Sequence, residues 1–417
     1  MNGRNGFNKK VTFKPPKTPC MHQLSPTGKS RIQNIDLLRG LVMVIMALDH
    51  TRDFFHKDAF TGDPLNLATT TPILFATRWI THFCAPVFVF LSGMSAWLQS
   101  QRKTKKELST FLVTRGFWLI LMELTVVNLG ITADIYFGFF LLQVIWAIGI
   151  SMVLLGLLIW LPYAVILSLG LLIVFGHNSL DFAEASRQGD VPFLWKLLHR
   201  PAILPLWGDH RLGAFYPFLP WTGLMMVGYA CGKIFTHADP AKRNKILLSV
   251  GIGCLLFFVA LRAINVYGDP VPWSQQNTVL YTFFSFINLQ KYPPSLLYLC
   301  VTIGCAFVFL ALVNKTSSRL SKAIIVYGRV PFFYFLLHFY LLHLISIVCY
   351  LSRGHSLAEG MKGLPFLPFK FAVPGEGYSL WIVYGIWIAV VIALYPLCKW
   401  YDRYKTKHPE KKWLSYL

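Results

Sequence analysis

Long apolar stretches, separated by short polar segments, follow one another along most of the chain. A helix that spans a bilayer needs roughly 20 mostly apolar residues, and about ten stretches approach that length. They are residues 35–56, 73–98, 110–130, 137–160, 163–177, 216–235, 246–265, 295–313, 324–350 and 379–399. This pattern predicts an all-α fold, a polytopic transmembrane helix bundle of about ten spans whose membrane domain occupies residues 34–400.

Basic residues are distributed unevenly among the polar segments between these stretches. With the N-terminus placed inside, the inside segments carry 24 Lys and Arg residues and the outside segments carry 9. Because cytoplasmic loops are enriched in Lys and Arg, this bias predicts that both termini are cytoplasmic. Residues 1–33 and 401–417 are then basic cytoplasmic tails, and the low apolar content of the first tail predicts disorder.

The composition narrows the class of protein. Hydrophobic residues make up 55% of the chain and charged residues 14%, whereas soluble domains are about 25% charged, so a soluble multidomain enzyme is excluded. The net charge of +21 lies mainly in loops and tails beside apolar spans, so we expect membrane lipid as a partner and no nucleic acid. No metal site is expected, because the cysteines form no CxxC pair and His338 and His343 are spaced too far around a helix.

The first apolar stretch carries an unusual number of ionisable residues. Each costs about 2.5–3.5 kcal/mol to insert into hydrocarbon, so the cluster predicts a polar cavity or bundle interior. At about 100° per residue, His50 lies about 20° from Arg39 around the helix and about 16 Å along its axis. The side chain of Arg52 lies outside this face of the helix. The other acidic and histidine residues on the same broad face are Asp36, Asp49, Asp53 and His56.

Spacing on this face indicates local roles. Asp36 can pair with Arg39, three residues further on, near the cytoplasmic end of the helix. Either Asp49 or Asp53 can orient the imidazole of His50 and stabilise its cationic form.

Later stretches contain further ionisable residues. His82 is open to two interpretations, a hydrogen bond between helices or a second acid–base residue. Glu123 is expected to pair with an intramembrane arginine, for example Arg115, two turns away. Arg329 either snorkels to the interface or binds an anionic group.

The spacing R-x10-H, from Arg39 to His50, resembles the first-helix motif of the acyltransferase-3 families of membrane acyltransferases. The fuller strings IDLLRGLVMVIMALDHTRDFF and RWITHFCAPVFVFLSG resemble a bacterial branch related to the catalytic domain of heparan-α-glucosaminide N-acetyltransferase. Further segments that carry the resemblance are LQVIWAIGISM (142–152), YPFLPWTGLMMVGYACG (216–232), KYPPSLLYL (291–299) and YGRVPFFYFLLHFYLLH (327–343).

The resemblance implies an enzyme that transfers an acetyl group across the membrane. Acetyl-CoA is the expected donor on the cytoplasmic side. A small-molecule or glycan acceptor with an amine or hydroxyl group, such as a sugar, is expected on the far side. The bacterial branch also implies a multi-pass protein of the plasma (bacterial inner) membrane, and related acyltransferases can associate as homodimers.

Site roles follow from the same resemblance. His50 is the first candidate for the general base or acyl-carrying nucleophile, His82 is the second, and His56 is a further candidate. The phosphates of CoA are expected near Arg39, with Arg329 as a second arginine.

A transporter or flippase is the main alternative, because intramembrane Arg, Asp and His also form proton relays and anion pathways. Many transporters contain repeated halves, and no repeat is visible in this sequence. A sensor or scaffold with a buried polar network is a weaker alternative. Acyl transfer is therefore the favoured interpretation.

Overall fold

Local sequence signals set where many of the helices begin. Proline occupies the first turn of the helices that start at Pro72, Pro240 and Pro331, where its missing N–H is not needed. Thr104 forms a capping box with Glu107, and its hydroxyl accepts from the Glu107 backbone N–H.

The computed structural model describes residues 33–186, 190–236, 239–313, 316–364 and 368–415. The predicted tail at residues 1–33 lies outside these ranges except for its last residue.

The described ranges are mostly helical. In chain order the helices are α1 (Gln33–Phe55), α2 (Pro72–Ile80), α3 (Cys84–Ser100), α4 (Lys105–Met122), α5 (Asn128–Thr132), α6 (Val144–Leu158), α7 (Tyr163–Gly176), α8 (Ser179–Ser186), α9 (Phe193–Leu198), α10 (Phe218–Cys231), α11 (Pro240–Ile264), α12 (Val279–Ile287), α13 (Leu296–Leu312), α14 (Arg319–Arg329), α15 (Pro331–Ser352), α16 (Leu357–Lys362) and α17 (Leu380–Lys407). A π-helical turn, Glu123–Val127, joins α4 to α5.

Fewer helices qualify as membrane spans than the sequence suggested. Within the described ranges, five segments are long and apolar enough to cross a membrane, and the bent pair α7–α8 makes a sixth if it is one span. The five are Pro72–Ser100, Lys105–Thr132, Pro240–Ile264, Pro331–Ser352 and Leu380–Lys407. The expected count of ten is not confirmed, because several predicted spans form short helices. For example, α6 has 15 residues and α10 has 14, while α1 carries five charged residues.

The fold is mostly helical, as expected, and it also contains a small sheet. Its strands are β1 (Phe139–Leu142), β2 (Ala202–Pro205) and β3 (Arg211–Ala214), in the spatial order β1-β3-β2. Strand β1 runs parallel to β3 with Leu142 opposite Ala214, and β2 runs antiparallel to β3. The apolar run read as the start of the span 137–160 therefore pairs with another chain segment before α6 begins.

Helix α1 lies at the centre of the bundle and contacts α3, α13, α14, α15 and α17. Its approach to α14 is very close, because a Cβ atom added at Gly328 would lie 1.9 Å from the carbonyl oxygen of Asp36. A Cβ atom at Gly40 would lie 2.0 Å from the carbonyl oxygen of Ile324. These two glycines let the helices pack backbone to backbone and fix where the side chains of α1 point.

Candidate active site

A row of cavities follows one face of α1. The first, which we call the arginine cavity, has a volume of about 110 Å³ and is lined by Arg39, Met43 and Met46 together with apolar residues of neighbouring helices. The second, the bridging cavity, measures about 30 Å³ and is lined by Met46 and His50. The residues of α1 that line the row recur every three or four positions, as expected for one helix face.

Two larger cavities continue the row beyond His50. The histidine cavity, of about 250 Å³, is lined by His50 and Asp53 and shares His50 with the bridging cavity. The acidic cavity, of about 350 Å³, shares Asp53 with the histidine cavity and is also lined by Asp58 and Asp63. The row therefore leads along α1 from an arginine, past a histidine, to a polar chamber rich in carboxylates.

A histidine on α15 holds the imidazole of His50. The two side chains meet at 2.7 Å between His50 Nδ1 and His338 Nε2, and His338 Nδ1 lies 3.1 Å from the carbonyl oxygen of Tyr334. A carbonyl oxygen can only accept, so a neutral His338 carries its proton on Nδ1 and accepts at Nε2 from His50 Nδ1–H. His50 then has its lone pair on Nε2, the tautomer of a general base.

Two arginines engage the carboxylates that were expected to orient His50. Asp49 pairs with Arg78 at 2.5 Å and with Arg52 at 3.1 Å, and Arg52 also contacts Asp53 at 2.5 Å. The expected Asp–His contact is thus replaced by the His50–His338 bond. The reason is tertiary packing, because Arg78 on α2 reaches the carboxylate of Asp49 and α15 presents a second imidazole.

A family model described as the catalytic domain of heparan-alpha-glucosaminide N-acetyltransferase matches residues 31–264, more than half of the chain. The chain belongs to this family. The resemblance carried by the strings IDLLRGLVMVIMALDHTRDFF and RWITHFCAPVFVFLSG is thereby confirmed. The family implies an enzyme of the N-acetyltransferase type, and the long apolar helices are those of a membrane protein. A search of curated proteins finds no match.

Two arginines line the arginine cavity, and a third candidate, Arg329, does not. Arg39 lines the arginine cavity, pairs with Asp36 at 3.1 Å as its spacing predicted, and donates to the carbonyl of Gly328. Arg115 lines the same cavity. Arg329 pairs with Asp402 of α17 at 3.4 Å and with Asp36, the partner of Arg39, at 3.8 Å, but it lines none of the four cavities in the described ranges.

The other two candidate histidines lie apart from His50. His56 lines the acidic cavity, where its Nδ1 accepts from the backbone N–H of Asp58. Burial lowers the pKa of His56 below its ordinary value, which suits a neutral ring that accepts a hydrogen bond. His82 lines a separate small cavity of about 10 Å³ beside Tyr298. The structure therefore places His56 in the wall of the row of cavities and His82 outside the row.

Several lining residues of the central cavities were not singled out from the sequence. Gln143, Tyr216 and Lys291 line both the bridging cavity and the histidine cavity. The backbone N–H of Gln143 donates to Glu123 at 2.6 Å, so that carboxylate binds the start of α6 rather than the expected Arg115. The signal that could have found Lys291 is its place in the segment KYPPSLLYL, which carried the resemblance.

One group of side chains has the composition of a metal site. Donor atoms of Asp181, Glu184 and His199 all lie within 4.8 Å of one another. The carboxylate of Glu184 already accepts hydrogen bonds from Trp195 and His199. In the part of the chain that the structure describes, this group lines none of the four cavities along α1. Hydrogen bonding among its members explains why the three side chains lie close together.

Proposed function

We propose that this protein is an integral-membrane acetyltransferase that moves an acetyl group from cytoplasmic acetyl-CoA to an acceptor on the far side of the membrane. The observation that supports it most directly is the row of adjacent cavities along α1, which runs from Arg39 to His50 and beyond. An enzyme that takes its donor and acceptor from opposite sides needs its binding groups placed along such a line.

The arginine cavity suits the donor. Arg39 and Arg115 supply guanidinium groups that can bind phosphate through paired hydrogen bonds. The rest of the wall is mainly apolar, with Met43 and Met46 on α1, which suits the pantetheine arm. Arg39 and His50 are separated by about 16 Å along the helix, a distance comparable to the reach of that extended arm.

His50 is the proposed base. The acceptor nitrogen or oxygen attacks the thioester carbonyl carbon while its proton passes to His50 Nε2. The tetrahedral intermediate then re-forms its carbonyl and breaks the carbon–sulfur bond. The leaving thiolate of CoA takes the proton from His50, which restores the neutral imidazole. An acetyl-histidine intermediate would use the same nitrogen as the nucleophile.

The acidic cavity is the proposed entrance for the acceptor. It adjoins the histidine cavity at Asp53, and its carboxylates can accept hydrogen bonds from an amine or from sugar hydroxyls. The family name refers to a glucosaminide, so an amino sugar is the first acceptor to try. Placing the Arg39 end in the cytoplasm agrees with the charge bias of the sequence, and the bacterial inner membrane is the proposed location.

A sided reaction tests this function. Purified protein is reconstituted into liposomes that contain glucosamine, and acetyl-labelled acetyl-CoA is added outside. We expect labelled N-acetylglucosamine inside and an equal amount of free CoA outside, with an increased KM for acetyl-CoA in Arg39→Gln. Entry of intact acetyl-CoA without release of CoA would instead support a transporter. Absence of CoA release with amine, amino-sugar and hydroxyl acceptors alike would overturn the donor assignment.

A further inference from the structure

One lysine stands in the wall of both cavities that contain His50. Lys291 lines the histidine cavity and the bridging cavity, and its relative exposure is only 9%. Burial of an ammonium group is costly unless a charge or dipole compensates for the lost hydration. A buried lysine at the junction of two reaction cavities therefore needs an explanation.

The arginines nearby already have anionic partners. Arg78 also lines the histidine cavity, but Asp49 holds its guanidinium at 2.5 Å. Arg52 is held by Asp49 and Asp53. Lys291 lies 5.1 Å from the centre of the Tyr292 ring, and within the described ranges no carboxylate lies at ion-pair distance from its ammonium. Among the described residues, Lys291 is thus the cation of this wall that forms no direct ion pair.

The loop that carries Lys291 is held at both ends. The carboxylate of Asp269 accepts from the backbone N–H of Gln290 at 2.9 Å and from the hydroxyl of Ser295 at 2.7 Å. The backbone N–H of Ser295 donates to the carbonyl of Gln290 at 3.0 Å, which closes the loop. A charge fixed in advance costs little reorganisation when it stabilises a transition state.

The position of Lys291 also fits the course of the reaction. The bridging cavity lies between the arginine cavity and His50, where the thioester of a donor held by Arg39 would be placed, and Lys291 lines both this cavity and the histidine cavity. Gln143 and Tyr216 also line both cavities, but these uncharged side chains offer only dipoles to an anion. A full charge acts most strongly on a developing anion in such a poorly solvated site.

We propose that Lys291 is a catalytic residue that stabilises the oxyanion formed during acetyl transfer. The inference rests on the proposed function. When the acceptor attacks, the electron pair of the thioester carbonyl moves onto its oxygen, and the Lys291 ammonium donates a hydrogen bond to that oxygen. When the carbon–sulfur bond breaks, the pair returns to the carbonyl and the ammonium keeps its proton. Lys291 therefore stabilises charge while His50 carries the proton.

The test compares Lys291→Met with Lys291→Arg. Steady-state release of CoA from acetyl-CoA is measured in detergent. Lys57→Met serves as a control, because that exposed lysine lines none of the four cavities described along α1. Loss of one oxyanion donor typically costs about 10²–10³-fold in kcat. We expect a fall of that order in Lys291→Met with a nearly unchanged KM for acetyl-CoA, partial activity in Lys291→Arg, and parental activity in the control.

Binding separates this role from a structural one. A ketone analogue of acetyl-CoA, in which a methylene replaces the sulfur, should raise the unfolding temperature of Lys291→Met as much as that of the parent. If the parent turns over and Lys291→Met keeps its kcat, or loses analogue binding in parallel with activity, the role of Lys291 is overturned while the function stands. If the parent releases no CoA with any acceptor, the proposed function is overturned, and this role with it.

Discussion

His50 on α1 and His338 on α15 are joined by a hydrogen bond of 2.7 Å between two ring nitrogens, although 288 residues separate them in the chain. The carbonyl of Tyr334 fixes the proton of His338 on Nδ1, and His338 in turn fixes the proton of His50 on Nδ1. The outcome is a basic nitrogen at His50 Nε2. His338 thus fixes the tautomer and orientation of the His50 imidazole, as a carboxylate does in many histidine-dependent enzymes, but it adds no charge.

Replacement of His338 should therefore impair catalysis more than binding. In His338→Phe, His50 Nδ1–H loses its acceptor, and the imidazole is free to adopt the other tautomer. We expect kcat to fall by about 10²-fold with little change in the KM for acetyl-CoA. His338→Gln is the matched variant, because its amide oxygen can accept from His50, and it should retain more activity. Equal losses in both variants would argue against control of the tautomer.

The separate position of His82 leads to a second prediction. Its ring faces Tyr298 in a small cavity apart from His50. His82→Leu should keep turnover of the same order as the parent, because a buried imidazole can be replaced by an apolar group of similar size at modest cost. The measurement is the rate of CoA release per folded protein, with folding checked by size-exclusion chromatography. A folded but inactive His82→Leu protein would move the catalytic histidine to this position.

His56 gives a different expectation, because it lines the acidic cavity. His56→Gln should raise the KM for the acceptor and leave the KM for acetyl-CoA unchanged. The comparison uses initial rates at varied acceptor and varied donor concentrations. An increased KM for acetyl-CoA would contradict the assignment of the acidic cavity to the acceptor.

Asp49 and Arg78 form a buried ion pair, so removal of either charge should destabilise the protein more than replacement of both. Asp49→Asn removes the negative charge that pairs with the guanidinium groups of Arg78 and Arg52, and loss of one member of a buried pair costs about 3–5 kcal/mol. We expect a clear fall in the unfolding temperature of the detergent-solubilised protein. The double variant Asp49→Leu with Arg78→Met should recover part of that loss. A double variant as unstable as Asp49→Asn would show that the pair is not the cause.

The contact between α1 and α14 has its own prediction. Gly328→Ala places a methyl group against the carbonyl of Asp36, so the helices must separate. Overpacking typically costs about 1–3 kcal/mol, and the shift also moves the carbonyl that accepts from Arg39. We expect lower stability and weaker acetyl-CoA binding. Gly253→Ala in α11 is the control, because its added methyl group meets nothing within 4 Å and should be neutral or stabilising.

The sequence predicted those features that depend on short spacings. The pairing of Asp36 with Arg39 follows from a separation of three residues, and the cavity-lining face of α1 follows from helical periodicity. The family followed from a string of local motifs and was confirmed.

Features that depend on distant packing could not be read from the sequence. Nothing in the spacing of His338 and His343 indicated that His338 would meet His50. Glu123 was expected to find an arginine on its own helix, yet it binds the backbone at Gln143, where the chain turns back into α6. The expected ten spans were not confirmed, because apolar content does not reveal where a helix ends. Tertiary contacts decide all three.

The most direct test of the account is acetyl-CoA consumption by the parent and by His50→Ala, purified in the same detergent and supplied with glucosamine. The account predicts that the parent releases CoA as acetylated product forms. It also predicts that folded His50→Ala, still stabilised by the ketone analogue, releases no more than a protein-free blank. Turnover by His50→Ala at the parental rate would contradict the central claim that His50 is the base for acetyl transfer.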